Sequence, residues 1–139
     1  MRLEPVVAAL PFGFADLRAE ARADGHRMLD TLAVDWASGR TRFNRPGERL
    51  LAAYVGDELA GIGGLTQEAA VPDALRVRRF YVRIGYRRHG VGRAIATELL
   101  KQPKAAIVTC NAAAGSEAFW EALGFAPDRR EGRTHLLTR

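Results

Sequence analysis

Apolar positions along the chain follow two spacings, one typical of helices and one typical of strands. The apolar residues between Leu29 and Trp36 recur at helical intervals, which predicts an amphipathic helix. This spacing predicts helices over 14–24, 26–38, 91–102 and 116–123. Short apolar runs predict strands over 3–10, 49–55, 58–66, 75–82 and 105–111, and a final hairpin over 129–138.

Glycines at the ends of these segments support the assignment. Gly56 and Asp57 separate two predicted strands, as in a two-residue hairpin. Gly39 and Gly124 each follow a predicted helix, where a residue in the left-handed conformation commonly ends the helix. The pattern therefore predicts a tight hairpin and two capped helices.

The order of the elements predicts the fold class. A strand, a helix and a second strand over 75–111 should form a parallel, right-handed unit. The hairpin before this unit makes the rest of the sheet antiparallel. We therefore expect a single α/β domain over 1–139, with four helices and a mixed central sheet of about six to seven strands.

Positive charge is concentrated in one part of the chain. The sequence carries 21 Lys and Arg against 16 Asp and Glu, a net charge of +5. Seven arginines lie between Arg76 and Arg93, which indicates either a solvated basic edge or an anion-binding site. The single cysteine, Cys110, fits a reducing compartment. No signal peptide and no membrane-spanning run stands out, so we expect a cytoplasmic protein that does not bind membranes.

The most informative segment is Arg87–Gly92, called the glycine loop below, which joins a predicted strand to a predicted helix. At a helix start the first N–H groups lack partners within the helix, and the helix dipole adds positive potential. Gly90 and Gly92 can adopt positive φ and let the backbone approach a ligand closely. The glycine loop therefore predicts a phosphate site.

Two common glycine motifs do not fit this loop. A dinucleotide-binding fingerprint needs a third glycine where Ile95 stands. Gly85 and Gly90 have the spacing of a P-loop, but Val91 and Gly92 follow where that motif has Lys and Ser or Thr. The ligand must therefore be inferred from the residues around the loop.

Four parts of the sequence point to one family. Arg87, Gly90 and Gly92 match the pattern Arg/Gln-x-x-Gly-x-Gly/Ala between a fourth strand and a helix, and further matches are Arg79–Val82, Asn111 and Ala118–Phe125. In these segments, and in element order over nearly the whole chain, the sequence resembles the GNAT superfamily of acyl-CoA-dependent N-acyltransferases. The resemblance implies a GNAT-like sheet whose fourth and fifth strands splay apart.

The resemblance also implies acetyl-CoA as cosubstrate, without a metal. The pyrophosphate would bind the N–H groups of Arg88–Arg93, and the pantetheine arm would pair with backbone at Phe80 and Val82. Asn111 would hydrogen-bond an amide of that arm or else cap the strand, and His89 would contact adenosine or be an exposed loop residue. The residues expected to bind the cofactor are Phe80, Tyr81, Val82, Arg87, Arg88, His89, Gly90, Val91, Gly92, Arg93 and Asn111.

The reaction implied by the resemblance is direct acetyl transfer to an amine of a small molecule or peptide. A backbone N–H, for which Val82 is our choice, would stabilise the oxyanion formed on attack. The family's acid tyrosine falls at Trp120 and its strand carboxylate falls at Arg76, and neither residue can do that chemistry. The catalytic acid and base are therefore unknown.

Several residues are open substitutes for the missing acid and base. Glu68 and Asp73 precede the strand over 75–82 and are candidate bases by proximity. Tyr81 and Tyr86 are candidate acids, although each is also a common packing or surface residue. Cys110 is expected to be a small buried residue, not a nucleophile.

Three arginines on the strand over 75–82 suggest a property of the acceptor. By strand alternation, Arg76 and Arg78 share one face and Arg79 takes the other. If the first two line the acceptor site, the acceptor carries a carboxylate or phosphate; otherwise they are solvated arginines at a sheet edge. Acceptor specificity is expected around Asp24–Arg27, between the first two helices.

Two other functions remain as alternatives. One is a non-catalytic acyl-CoA-binding module, suggested by Trp120 and Arg76. The other is a basic nucleic-acid-binding domain, which is disfavoured because the chain lacks interleaved aromatic and basic residues. A homodimer is possible, since such folds commonly dimerise, but no sequence feature demonstrates one.

Overall fold

A computed structural model describes residues 1–101, 105–130 and 132–139. In these residues seven strands form one mixed sheet in the order β1-β2-β3-β4-β5-β7-β6. The strands are β1 (Arg2–Pro5), β2 (Arg49–Val55), β3 (Glu58–Gln67), β4 (Leu75–Val82), β5 (Ile107–Cys110), β6 (Ala126–Arg130) and β7 (Arg133–Thr138). The helices are α1 (Phe14–Ala23), α2 (Met28–Ser38), α3 (Val91–Lys101) and α4 (Glu117–Ala122). The predicted α/β class and mixed sheet are confirmed.

The largest differences from the predicted boundaries lie at β1, β5, α2 and β6, which begins at Ala126 although the hairpin is predicted over 129–138. The strand predicted over 3–10 ends at Pro5, and the one predicted over 105–111 covers only Ile107–Cys110. The helix predicted from His26 begins at Met28 because Gly25, with φ +85°, ends α1, and the N–H of His26 bonds back to the carbonyl of Ala21. Gln102, the predicted end of α3, lies outside the described residues.

The helices cover the sheet from two sides and define two cores. On one side α1 and α2 pack on the sheet through Leu17, Leu29, Leu32 and Ile62. On the other side α3 and α4 pack through Ile95, Leu99, Val108 and Trp120. Side chains of β4 enter both cores, so the direction in which each one points decides which site it can serve.

A β-bulge in β4 interrupts this alternation. Ile62 of β3 pairs with Tyr81 and Gly64 pairs with Arg78, so Arg79 and Phe80 together oppose the single residue Gly63. Arg79 has φ +55°, an uncommon value for a residue with a side chain. The prediction that Arg79 faces away from Arg78 is wrong, because the extra residue turns both side chains towards α2.

Glycines in β3 make room for aromatic rings at this level of the sheet. A Cβ at Gly63 would lie 2.5 Å from Cδ2 of Phe80, which packs on the α3 side. A Cβ at Gly64 would lie 2.6 Å from Cε2 of Phe43, which packs on the α1 and α2 side. The bulge therefore depends on residues of the neighbouring strand.

The parallel strands β4 and β5 stay together only at their start. Leu75 pairs with Val108 and Arg76 pairs with Thr109, and β4 then continues to Val82 without further pairing to β5. The implied splay of the fourth and fifth strands is confirmed. The splay leaves a gap beside the second half of β4, called the splay gap below.

Candidate functional site

The glycine loop leads directly from β4 into α3. A short 3₁₀ turn, Ile84–Tyr86, follows β4, and Gly90 then adopts φ +82°. The carbonyl of Gly90 accepts the N–H of Ala94 at 3.0 Å, which places Gly90 at the N-cap of α3. The positive φ expected for Gly90 is confirmed.

Gly92 has a different reason to be glycine. It lies in the first turn of α3 and does not use the positive φ that glycine allows. A Cβ at Gly92 would lie 3.3 Å from Cε1 of Phe119 and 3.4 Å from Cγ2 of Val82. A side chain here would crowd the contact between α3, α4 and β4.

The N–H groups from Arg88 to Arg93 form a run of free donors. None of the six donates a hydrogen bond to a backbone or side-chain acceptor within the described residues, and the first α3 bond begins at Ala94. Arg88, His89 and Arg93 are exposed beside these donors. Free N–H groups, the α3 dipole and exposed cations together suit a phosphate group.

Arg87 holds the glycine loop against the body of the protein. Its Nε donates to the carbonyl of Val82 at 3.0 Å, and its Nη2 donates to Oδ2 of Asp24, the C-cap residue of α1, at 2.6 Å. This hydrogen bond is the main cause of the lowered pKa of Asp24. The side chain of Arg87 is therefore engaged with Val82 and α1, whereas its neighbours Arg88 and Arg93 are exposed.

Glu20 of α1 holds the start of the same loop. Its Oε2 accepts the N–H of Ile84 at 3.0 Å, and its Oε1 accepts Nη1 of Arg83 at 3.2 Å. The hydroxyl of Tyr81 lies 3.2 Å from Oε2 of Glu20. Burial, together with these neighbouring carboxylates, raises the pKa of Tyr81. Tyr81 is thus a protonated residue that faces α1, which argues against the candidate role of acid in the splay gap.

Backbone alternation places one donor of β4 in the splay gap. The N–H of Arg83 donates to the carbonyl of Ala60 at 2.9 Å, so these residues form a hydrogen-bonded pair. In an antiparallel ladder such pairs alternate with non-hydrogen-bonded pairs. Val82 pairs with Gly61 and belongs to the second kind, so its N–H and carbonyl point away from β3. The N–H of Val82 therefore points towards the splay gap.

Trp120 and Cys110, at the other edge of the splay gap, are packing residues. Trp120 is buried, and its ring centroid lies 4.9 Å from those of Phe80 and Phe119 and 5.5 Å from that of Phe125. Cys110 is buried in the same core, and burial raises the pKa of its thiol to about 12. The expectation of a buried, unreactive cysteine is confirmed, since a thiol with this pKa carries almost no thiolate at neutral pH.

Glu68 lies near the opposite end of β4 from Val82. Its Oε2 accepts the Thr109 hydroxyl at 2.8 Å and lies 3.6 Å from Nη1 of Arg76, and its Oε1 accepts the N–H of Ala70. Burial alone would raise the pKa of Glu68, but these interactions lower it overall. Six residues of strand between Arg76 and Val82 span roughly 20 Å, so Glu68 does not reach the Val82 N–H.

The remaining acid and base candidates lie outside the splay gap as well. Asp73 is exposed in the loop before β4, where it has φ +59°. Tyr86 lies in the 3₁₀ turn, and hydrogen bonding to the Glu58 carboxylate raises its pKa. Asp73 thus precedes the end of β4 opposite Val82, and the Tyr86 hydroxyl is engaged with Glu58, so neither is positioned for proton transfer in the splay gap.

Three residues that sequence reasoning missed fix the end of β5. Oγ1 of Thr134 accepts the N–H of Ala112 at 2.9 Å and lies 2.7 Å from Nδ1 of His135. Nε2 of His135, which is only 1% exposed, lies 2.8 Å from Oε2 of Glu121. This chain of polar contacts holds the backbone next to the exposed Asn111. No local motif marks it, because the contacts join β7 to α4.

A polar cleft of about 520 Å³ lies on the α2 side of β4. The loop between α2 and β2 forms its outer wall, where Phe43 has φ +55° and buries its ring against Gly64. Five arginines line the cleft, which is called the arginine cleft below: Arg40, Arg42, Arg45, Arg78 and Arg79. Arg76 is not among them: it lies on the same face of β4 as Arg78, as the strand alternation predicts, but its guanidinium faces Glu68.

In residues 1–101, 105–130 and 132–139, no group of three His, Cys, Asp or Glu side chains could hold a metal ion. No helix within the same ranges is long and apolar enough to cross a membrane.

Comparison with known families identifies the class of protein. Residues 15–137 match the family model described as an acetyltransferase (GNAT) domain. Since this match covers most of the sequence, the chain belongs to the GNAT acetyltransferase family, and its activity belongs to the acyltransferase class. No curated protein sequence matches the chain.

Solved structures share the fold at low sequence identity. A protein from Exiguobacterium sp. 255-15, assigned as an acetyltransferase, has a TM-score of 0.90 and 20% identity, with 99% of this chain and 92% of that chain covered. A GNAT-family acetyltransferase from Staphylococcus aureus Mu50 has a TM-score of 0.76 and 11% identity, with 99% of each chain covered. The Bacillus subtilis N-acetyltransferase YlbP, in complex with coenzyme A, has a TM-score of 0.65 and 16% identity, with 99% and 96% covered.

Proposed function

We propose that this protein is an acetyl-CoA-dependent N-acetyltransferase that acetylates an amine of a small molecule or peptide. The observation that carries the proposal is the run of six free N–H donors from Arg88 to Arg93 at the mouth of the splay gap. The coenzyme A complex of the related Bacillus subtilis N-acetyltransferase supports the choice of cosubstrate.

The glycine loop would bind the pyrophosphate of acetyl-CoA through its main chain. Gly90 directs the backbone into α3. The exposed side chains of Arg88 and Arg93 add positive charge without blocking access to the N–H groups of the loop. Arg87 acts differently in this proposal: because its guanidinium binds Asp24 and Val82, it positions the loop. Asn111, at the far edge of the splay gap, remains a candidate donor or acceptor for the pantetheine arm.

When bound, acetyl-CoA supplies an acetyl group activated as a thioester. The N–H of Val82 points into the splay gap and would donate to the acyl oxygen, where negative charge develops as the amine attacks. The new N–C bond replaces the C–S bond, the amine loses a proton to water, and the coenzyme leaves as thiolate. A thiol pKa of about 8.5 makes that leaving group adequate without a dedicated acid.

Charge reversal at the start of α3 tests the cofactor site. Arg93→Glu puts an acid in the first turn, which favours the helix but repels a pyrophosphate. We expect this variant to fold and to bind acetyl-CoA at least ~10-fold more weakly, as measured by calorimetry. Thr97→Glu, exposed one turn further along α3, is the matched control and should bind normally. Equal affinity of the two variants would contradict the proposed site.

A second measurement separates the enzyme from a non-catalytic acyl-CoA-binding module, which the packing role of Trp120 keeps as an alternative. Release of free thiol from acetyl-CoA is followed with a panel of primary amines. Amine-dependent release supports acetyl transfer. Tight binding of acetyl-CoA without release for any amine class supports the module instead.

A further inference from the structure

We propose that the acceptor carries an anionic group, a carboxylate or a phosphate, and that Arg78 and Arg79 bind this group in the arginine cleft. The proposal rests on the proposed function, because it assumes that the acceptor amine reaches the splay gap from the α2 side. Membership of the GNAT family does not specify the chemical class of the acceptor, and this proposal names one.

Arg78 is a cation without a carboxylate partner. Its Nε donates to Oγ1 of Thr66 at 3.3 Å, and its guanidinium forms no ion pair with any residue in the described ranges. The neighbouring Arg76 pairs with Glu68, and Arg79 pairs with Asp35. Burial and the charges of Arg76 and Arg79 together lower the pKa of Arg78. An anion bound at Arg78 would offset both unfavourable effects.

The carboxylates of the arginine cleft are already engaged. Oδ2 of Asp35 lies 3.3 Å from Nη2 of Arg79. Glu48 accepts the N–H of Arg45 at 3.2 Å and the N–H of Gln67 at 2.9 Å. Five arginines thus face two occupied carboxylates, and a guanidinium matches a carboxylate or phosphate through paired hydrogen bonds.

The wall of the cleft is held in place without a ligand. Nε of Arg42 donates to the carbonyl of Trp36 at 2.7 Å, and its guanidinium lies 5.1 Å from the centroid of the Trp36 ring. Phe43 holds the next position by burying its ring at positive φ. Because little ordering remains to be done on binding, an anion would meet a preorganised site.

The bulge sets the distance between the two ends of the acceptor. Arg79 lies three residues before Val82 on β4, which corresponds to roughly 10 Å of strand. In this proposal the reacting amine and the anionic group of the acceptor are separated by a distance on the order of 10 Å, set by this backbone spacing. This separation selects the probes for the test.

The test uses four chains of equal length that share a terminal primary amine: ω-aminooctanoate, aminohexyl phosphate, aminooctanamide and diaminoheptane. Each is titrated by calorimetry into protein saturated with coenzyme A. We expect the carboxylate, the phosphate or both to bind about tenfold more tightly than the amide, and the diamine to bind most weakly. The tighter of the two anionic probes identifies the group that the cleft recognises.

A pair of variants locates the binding group. Arg78→Gln should remove the preference for an anionic end, whereas Arg129→Gln, an exposed arginine of β6 outside the cleft, should keep it. Equal binding of the amide and both anionic probes to the wild type, or an unchanged preference in folded Arg78→Gln, overturns the proposal. If Arg78→Gln does not fold, the relative affinities of the four probes for the wild-type protein still test the proposal. Absence of coenzyme A binding would instead refute the proposed function, which the first titration reports separately.

Discussion

The glycine loop and the arginine cleft, which we propose bind the two substrates of one reaction, are built from different parts of the polypeptide. The loop presents main-chain N–H groups from Arg88 to Arg93, so it needs only a glycine at positive φ and a helix start. The cleft presents side chains, and the bulge at Arg79 decides which ones. A main-chain site can therefore be predicted from a short motif, whereas a side-chain site requires the register between two strands.

The two regions also differ in how their charges are balanced. Around the loop, Glu20 of α1 accepts a hydrogen bond from Arg83, and Asp24, at the C-cap of α1, accepts one from Arg87. These contacts hold the neighbouring N–H groups in a fixed position. In the cleft, Arg78 has no such carboxylate among the described residues. The loop is supported by the carboxylates of Glu20 and Asp24, whereas in our proposal the cleft is completed by the anionic group of the acceptor.

Deletion of Arg79 should have the largest effect. Without it, Arg78 and Phe80 become neighbours on opposite faces, so β4 can pair regularly with β3 while its core side chains keep their directions. We expect the fold to persist and kcat/KM to fall about 100-fold or more, because the cleft moves relative to the splay gap. Acetyl-CoA affinity, measured by calorimetry, should change far less.

The control for this deletion is Arg79→Gly. Glycine adopts φ +55° without strain, so the bulge remains and only the side chain is lost. A smaller loss of kcat/KM in Arg79→Gly than in the deletion is expected. If the two variants lose activity equally, the bulge has no role beyond carrying the Arg79 side chain.

Gly63→Ala tests whether the bulge between the two regions needs the space that Gly63 leaves for the Phe80 ring. The added Cβ would lie 2.5 Å from the Phe80 ring and 3.0 Å from Cγ2 of Ile95. Overpacking of this kind costs about 1–3 kcal/mol in the free energy of unfolding, which urea denaturation measures. Gly85→Ala, where a Cβ would meet nothing within 4 Å, is the matched control and should change stability by less than about 0.5 kcal/mol. An unchanged urea midpoint for Gly63→Ala would show that the ring can move.

Glu20→Gln should weaken the glycine loop and leave the arginine cleft unchanged, the reverse of what we expect for the Arg79 deletion. The neutral side chain loses its ion pair with Arg83 and weakens the hold on Ile84, so the glycine loop becomes less fixed. For a partly exposed pair we expect acetyl-CoA affinity to fall only about two- to fivefold, with no change in acceptor preference. Glu98→Gln, which breaks the exposed pair with Lys101 on α3, should leave both unchanged. A changed acceptor preference in Glu20→Gln would mean that the loop and the cleft are coupled.

The smallest effect concerns Asp30, which joins α1 of the loop region to α2 of the cleft region. Hydrogen bonds from Arg22 and Arg18 lower the pKa of Asp30 from 3.8 to about 2. Because the pKa is lower in the folded state, the stabilisation by Asp30 is fully present above 3.8 and is lost as the pH falls through about 2. The difference in Tm between wild type and Asp30→Asn should therefore shrink over this range. A Tm difference between wild type and Asp30→Asn that stays constant down to a pH of about 2 would contradict this role of Asp30.

Much of the fold was predictable because its signals are local. The bounds of β2 and β4 agree with the predicted strands, and Gly39, Gly90 and Gly124 have the expected positive φ. The direction of Arg79 was not predictable, because the bulge depends on Gly63 of the neighbouring strand.

The side chains around the splay gap were harder to predict for the same reason. The polar chain from Thr134 through His135 to Glu121 joins two elements, and no spacing in the sequence announces it. The wall of the arginine cleft is a polar loop that carries no sequence motif. Phe43, which has an unusual positive φ, fixes the conformation of this loop. Such contacts become visible only when the sheet is assembled.

The inserted residue in β4 also has a consequence for engineering. It divides one continuous strand into two modules, residues 75–79 and residues 80–82, whose side-chain directions are set separately. In our proposal the first module recognises the acceptor and the second aligns with the cofactor. Exchanging residues 75–79 together with the loop over 39–48 should therefore change acceptor choice while acetyl-CoA binding is kept.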